Sequence, residues 1–416
     1  MTLIRRRRYF LRWTRKTRWL LFVSLALAAY GIIKHIPAPP KTKNNTRADR
    51  PPPEHDVEDV PRFLYHSLFR EDPDLDFEGE LSAALQEVEQ SISSAPSYTR
   101  RDNGEQYIWQ ILLGNKPNLQ RGDDSIRLER ANPDWAYNLV TNTEATDFIS
   151  TLSHTIPDLH QIYHAYPHDV LRADLLRYLL LWYHGGFYAD MDIFPARPIN
   201  ACPSLQPFLD PPNSNNNVSL IVGIEIDEPY ASPQLMRNWH WSRSYGFTQY
   251  AMYAPQRFSP LLRRVIVRVL AHARQQNERH RWGLRSLLWA PSYDEKVVLE
   301  ATGPGVFTDA VLDGLSETLN SQHWLVRQSV EADESIGDLD SEQVSWAPFH
   351  RITQQVCVDA DEAREGDMGG FCVLPVNVWG NGQRHSGAEG FSSSHACLNH
   401  RFGRTWKKGW WEYLVG

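Results

Sequence analysis

The stretch "HDVLRADLLRYLLLWYHGGFYADMDIF", residues 168–194, limits the fold more than any other part of the chain. From Asp169 onward apolar residues recur almost all round a helical projection, and a helix of that kind must be buried. Asp169 is the expected N-cap, and Gly185 and Gly186 stop the helix. "FYADMDIF" then reads as a strand, ended by Pro195 and Pro198. "QYIWQILLG" and "NPDWAYNLVT" read as strands before the helix, Thr146 to Ser153 reads as helical, and "VSLIVGIEI" is a second buried strand after it. Strands alternating with helices predict an α/β fold with a mostly parallel sheet.

Everything before that region has a different character. Residues 1–18 carry eight Arg or Lys and no acid, so the net charge of −7 hides a basic tip on an acidic body. An apolar run, Trp19 to Ile33, or to Ile36 if Lys34 snorkels, follows at once. It lies at the short end of the roughly 17–25 residues that span a bilayer. The expectation is a single-pass signal-anchor over 19–36, the basic tip cytosolic and the bulk lumenal. A cleaved signal peptide is the rival, because Ala26-Leu27-Ala28 has the A-x-A form. Seven prolines interleaved with charge between Pro37 and Pro61 predict a semi-rigid stalk. Leu75, Phe77, Leu81, Leu85 and Val88 are spaced for one short amphipathic helix within 37–104, and the compact domain is expected over 105–416. "EADESIGDLDSEQ", 331–343, reads as a surface loop.

The lumen permits disulfides among Cys202, Cys357, Cys372 and Cys397. Sequence leaves three pairings open, with Cys357–Cys372 closing the shortest loop. No C-x-x-C spacing favours zinc. Sequons at Asn44 and Asn217 give the lumenal reading slight support. With an apolar run following at once, the basic tip argues for a membrane and not for nucleic acid. Most of the fifteen Trp are expected in the core.

Asp190 and Asp192 are the chemical feature. On a strand they would share a face with Tyr188, roughly 6.6 Å apart along the backbone, with Phe187, Ala189, Met191 and Ile193 opposite. Two carboxylates so placed can converge on one hard cation, Mg²⁺ or Mn²⁺, at the strand end where open α/β sheets bind ligands. An isolated Asp-x-Asp is more often a polar strand end. Here the buried helix before it carries Arg172, Asp174 and Arg177, which need partners. Asp174 and Arg177 are spaced to pair, which leaves Arg172 to find an anion or another acid. Together these groups describe a diphosphate site. A hydrolase pair would flank its bond from opposite sides, which two acids on one strand face do not do.

These residues carry a resemblance. Arg172-Ala173-Asp174, Arg177-Tyr178-Leu179, Gly185-Gly186, Tyr188-Ala189-Asp190-Met191-Asp192 and Arg197-Pro198-Ile199 resemble the core of glycosyltransferase family 32, the DXD-containing sugar-transfer proteins. The fungal initiation-specific α-1,6-mannosyltransferases are the nearest within it. "IWQI", "NPDWAY" and "ATGPGVFTDAV" resemble further family segments, and the likeness thins after residue 311. It implies a GT-A-like nucleotide-sugar fold, a divalent metal, with Mn²⁺ favoured, GDP-mannose as donor, retention of configuration, a protein-linked N-glycan acceptor and residence in the Golgi membrane. It gives Asp190 and Asp192 the metal and the diphosphate-sugar. Arg172, Asp174, Tyr188, Gly185 and Gly186 fall beside the donor. "NHRFGRTW" resembles a His-His-Phe-x-Gly-Ser-Trp element, which makes His400 a metal or diphosphate contact; Arg401 replaces the second His and Gly403 is shifted. Other donors, a glycolipid acceptor, or a non-catalytic lumenal binder are the alternatives.

Overall fold

The computed structural model describes residues 61–63, 67–94, 106–115, 119–209, 218–281, 293–333, 343–362 and 368–402. The basic tip, the apolar run, the stalk prolines through Val60, Asn44, Asn217 and Trp406 lie outside the described residues. Among the described residues no helix is long and apolar enough to cross a membrane. The chain divides into units 1–50 and 51–416, and all described residues fall in the second.

The elements in chain order are α1 (Leu75–Ser93), β1 (Tyr107–Ile111), α2 (Asp123–Ala131), β2 (Ala136–Val140), α3 (Asn142–Leu152), α4 (Leu159–Ala165) and α5 (Asp169–His184). Then come β3 (Gly186–Ala189), β4 (Ile193–Pro195), β5 (Val218–Asp227), α6 (Pro233–Trp239), β6 (Tyr245–Ala254) and α7 (Pro260–Arg281). The rest are α8 (Glu295–Ala301), α9 (Pro304–Thr318), α10 (Trp324–Asp333), β7 (Val356–Val358), β8 (Gly370–Leu374) and β9 (Leu398–His400), with a few single-turn pieces. The main sheet has the order β2-β1-β3-β6-β5-β8-β7, and β4 pairs with β9 separately. β1, β2, β3, β5 and β8 share one direction, as a mostly parallel sheet requires; β6 and β7 oppose them. Because β6 runs antiparallel to both β3 and β5, the carboxyl ends of those two strands lie at the same end of the sheet, one on either side of β6.

Side chains alternate across the sheet as period-two geometry demands. Tyr188, Val222, Met252 and Val373 join a core with α5, α7 and α9. Phe187, Ala189, Ile221, Tyr253 and Cys372 join a second core on the other face, with Ile193, Trp379 and Leu398. α5 is enclosed as its composition predicts, with every residue from Asp174 to Trp182 buried. His168, not Asp169, is its N-cap; Asp169 opens the first turn.

The short helix expected within 37–104 is formed as α1, and its apolar face packs into the first core. Phe77, Leu81, Leu85 and Val88 of α1 lie in the first core, and Glu89 accepts from Trp182 Nε1 of α5 (2.8 Å) and Arg263 Nη1 of α7 (2.6 Å). A lone amphipathic helix cannot bury its apolar face by itself, so the folded body begins before residue 105. Of the acidic 331–343 stretch, Glu331 to Asp333 end α10, and 334–342 lie outside the described residues. Cys357–Cys372 is formed, and Cys202 pairs with Cys397.

Candidate active site

The strand expected across 187–194 is broken, and the break builds the site. β3 ends at Ala189 and β4 begins at Ile193. Between them the Ile193 N–H donates to the Asp190 carbonyl (3.1 Å), closing a tight turn. Asp190 and Asp192 are therefore not neighbours on one strand face, and Met191 is half-buried in the turn instead of packing on an apolar face. The pairing with antiparallel β6 locates the break. Ala189 is opposite Ala251, and the Asp190 N–H donates to the Tyr250 carbonyl (2.9 Å), after which the chain leaves the sheet.

The turn still brings the two carboxylates together, and it adds a third group. Ligand atoms of Asp190, Asp192 and His400 all lie within 4.8 Å of one another. His400 comes from β9, where it is opposite Ile193 of β4. Its Nε2 is 3.0 Å from Asp192 Oδ1, and its buried Nδ1 has no hydrogen-bond partner. The disulfide from Cys202 to Cys397 ties the start of β9 to the segment after β4. Arg197 Nε adds a bond to the Ala396 carbonyl (2.8 Å). Breaking that tie by Cys397→Ser is expected to cost about 2–4 kcal/mol. Urea unfolding of the non-reduced variant would show it.

Asp190 is held from several sides. Gln110 Nε2 donates to its carbonyl (2.9 Å), and Ser125 and Tyr137 hydroxyls fix Gln110 Oε1 (2.6 and 2.8 Å). The Tyr188 hydroxyl donates to Asp190 Oδ1 (2.6 Å). Buried Arg177 lies 3.3 Å from the same oxygen and 3.0 Å from Asp174 Oδ1, and Thr302 Oγ1 donates to Asp174 Oδ2 (2.7 Å). Burial works against the Arg177 charge, but Asp190, Tyr188 and Asp174 together carry its pKa above the ordinary value. Burial pushes Asp174 up, to about 7, against the opposing pull of Arg177 and Thr302.

The other expected donor contacts have different occupations here. Arg172 binds Asp169 (2.7 Å) and the carbonyls of Tyr163 and Tyr166 at the end of α4, so it pairs with neither Asp174 nor Asp190. Arg177 is the cation that reaches the aspartates. Gly185 and Gly186 have φ of 71° and 96°, which L side chains rarely adopt, and a Cβ on Gly186 would lie 2.7 Å from the Tyr107 carbonyl. They let the chain pass from α5 into β3 against β1. Gly186→Ala is expected to cost about 1–3 kcal/mol through strain, read as a lowered urea midpoint.

Sequence reasoning missed Glu225 and Tyr250. Glu225 closes the buried run of β5, where a charge at the end of an apolar strand was the available signal. Burial raises its pKa to about 7; His400 and Arg177 oppose that rise and Asp190 adds to it. Between about pH 4 and 7 the metal-free folded chain therefore holds a proton here that the unfolded chain releases, so this group's contribution to stability falls as pH rises through that window. Glu225→Gln is expected to flatten that part of the profile, measured as the difference in melting temperature between parent and variant from pH 4.5 to 8.

Two carboxylates and an imidazole with a free nitrogen suit a divalent cation that accepts mixed oxygen and nitrogen ligands. The comparisons agree with that chemistry. Residues 124–209, from α2 through the turn, match the family described as glycosyltransferase sugar-binding region containing DXD motif. Over that stretch the chain is similar to the DXD glycosyltransferases. It is homologous to the fungal proteins named initiation-specific α-1,6-mannosyltransferase. That of Candida albicans is 25% identical over 67% of this chain and 65% of its own length. That of Saccharomyces cerevisiae is 23% identical over 66% of this chain and 71% of its own length. The alignment thus spans just under two thirds of the Candida protein. Inositol phosphoceramide mannosyltransferase 3 of Schizosaccharomyces pombe is 32% identical over 26% of this chain and 29% of its own length. Among solved structures, PaToxG Glycosyltransferase aligns at 17% identity over 65% of this chain and 92% of its own, with a TM-score of 0.32, too weak a likeness to bear on the fold.

Proposed function

We propose that this protein is a metal-dependent retaining α-1,6-mannosyltransferase, moving mannose from GDP-mannose to a protein-linked N-glycan. The observation that carries the reading is the Asp190, Asp192 and His400 cluster, set within 4.8 Å at the end of β3 in a chain homologous to mannosyltransferases. In this reading the fold is GT-A-like. Residues 19–36 anchor a type II protein in the Golgi membrane with the domain lumenal.

Asp190, Asp192 and His400 would hold Mn²⁺. Bound there, the cation supplies positive charge that offsets the charge on the departing diphosphate. The chain's own groups set the geometry for that. Arg177 and Tyr188 aim one Asp190 oxygen, Gln110 pins its backbone, and Asp174 with Thr302 keeps Arg177 in place. The turn between β3 and β4 presents Asp192 beside His400. Positioning of the reactants and stabilisation of the leaving group account for the catalysis.

A donor screen on the full chain, purified in detergent with Mn²⁺ and a mannose-terminated glycan, tests the reading. GDP-mannose is expected to be consumed, and GDP to bind more tightly than UDP. Preference for UDP-sugars would move the function to a galactosyl- or glucosyltransferase. Turnover only with an inositol-phosphoceramide acceptor would move it to glycolipids. Donor binding without turnover on any acceptor would make the chain a binding protein.

A further inference from the structure

Tyr250 lies on β6 directly beside the turn, and its backbone carbonyl receives the Asp190 N–H. Its ring packs on the His400 imidazole with centroids 4.2 Å apart, and Phe402 meets it edge-on at 5.9 Å. The side chain is only 3% exposed. Among the described residues nothing bonds its hydroxyl. Buried Tyr166 and Tyr245 also have unbonded hydroxyls, but Tyr166 packs on Tyr293 and Tyr245 on Phe63 and Phe247, away from the aspartate–histidine cluster. The Tyr188 hydroxyl donates to Asp190, and the Tyr178 hydroxyl bonds Gln249 and the Thr302 carbonyl.

What sets the Tyr250 hydroxyl apart is its place: its ring packs on His400 and its backbone is bonded to Asp190, two members of the cluster. Burial, then the charges of Glu225, Asp190 and Asp192, act on this phenol and keep its proton on. None of these carboxylates accepts its proton. Leaving a buried hydroxyl unpaired costs about 1–3 kcal/mol. Phenylalanine would fill the same space against His400 without that cost.

We propose that Tyr250 is a donor-binding residue, its hydroxyl donating a hydrogen bond to an oxygen of the diphosphate-sugar held at Asp190 and Asp192. The proposal rests on the reading that a nucleotide-sugar docks there. Its chemistry is that of a neutral O–H among carboxylates. A ligand acceptor oxygen, from phosphate or from a sugar hydroxyl, meets the O–H where the protein offers no partner. The hydroxyl is then satisfied only in the complex, so it favours bound donor over free protein.

Tyr250→Phe separates this from a packing role, because it deletes one oxygen and keeps the ring. Calorimetry on the full chain with Mn²⁺ would compare GDP with intact GDP-mannose. Affinity is expected to fall about 10-fold or more, the size of a lost hydrogen bond to a charged or well-aligned partner. The melting temperature of the free protein is expected to stay level or rise. Loss with both ligands places the bond on the diphosphate, and loss with GDP-mannose alone places it on the sugar. Parent-like affinity for both overturns the proposal and leaves the mannosyltransferase reading standing. A variant that melts well below the parent also overturns it, because the hydroxyl then has a partner within the protein. A parent that binds no nucleotide or nucleotide-sugar sinks both.

Discussion

Asp192→Asn is expected to lower mannose transfer on the order of 10²-fold or more while leaving the protein folded. The Asp192 side chain is 29% exposed and meets His400 at 3.0 Å. An asparagine keeps the shape and still offers an oxygen, so stability should move by no more than about 1 kcal/mol. The lost negative charge is what a cation would have been bound by. Asp190→Asn should lose as much activity and somewhat more stability, because of the two acids that Arg177 bridges only Asp174 then remains. A solvated turn with no metal predicts the opposite pattern, with near-parent activity from both variants at saturating donor and Mn²⁺. Steady-state kinetics beside urea unfolding separates the two.

Arg177→Met carries the largest expected effect on stability. The guanidinium is 6% exposed and bridges Asp174 and Asp190 beneath the site. Removing it leaves two acids close together, one of them almost wholly buried, with no cation between them. Breaking a buried pair from one side costs about 3–5 kcal/mol. Adding Asp174→Asn should recover part of that loss, because the buried acid left without its cation is then gone. Activity should not recover with it, since Asp190 is no longer aimed. Additive losses in the double variant would mean that Arg177 and Asp174 do not act as a pair.

The buried helix α5 and the glycines after it were legible because apolar periodicity and a helix stop are local signals. So was the chemical character of Asp190 and Asp192, which came from residue type and from charges on an apolar helix. Their geometry was not. An Asp-x-Asp on a strand and an Asp-x-Asp around a turn read alike. The chain leaves β6 after Asp190 bonds Tyr250, through a turn whose closing bond to the Asp190 carbonyl no residue pattern announces. The pairing of Arg177 with Asp174 was legible from helical spacing, but the reach of Arg177 to Asp190 and the acid that takes up Arg172 were not. Helical spacing allowed Arg177 to reach Asp174, but it could not show that Arg172 would be taken up by Asp169 and the end of α4. Resemblance brought out His400 at a distant position, and the pairing of β9 with β4 places it at the turn. Tyr250 and Glu225 carried no motif, because an aromatic or an acid in an apolar strand acquires meaning only from what faces it. α1 was legible as an amphipathic helix, but not its place in the core, because its partners, Trp182 and Arg263, lie far along the chain.

The central claim is that Asp190, Asp192 and His400 hold one divalent cation for a nucleotide-diphosphate sugar. Electron paramagnetic resonance of Mn²⁺ added to the full chain with GDP tests it most directly, comparing the parent with Asp192→Asn and His400→Gln. One tight Mn²⁺ site in the parent, weakened at least about 10-fold in each folded variant, is the predicted result. Mn²⁺ bound with parent affinity in both variants would contradict it.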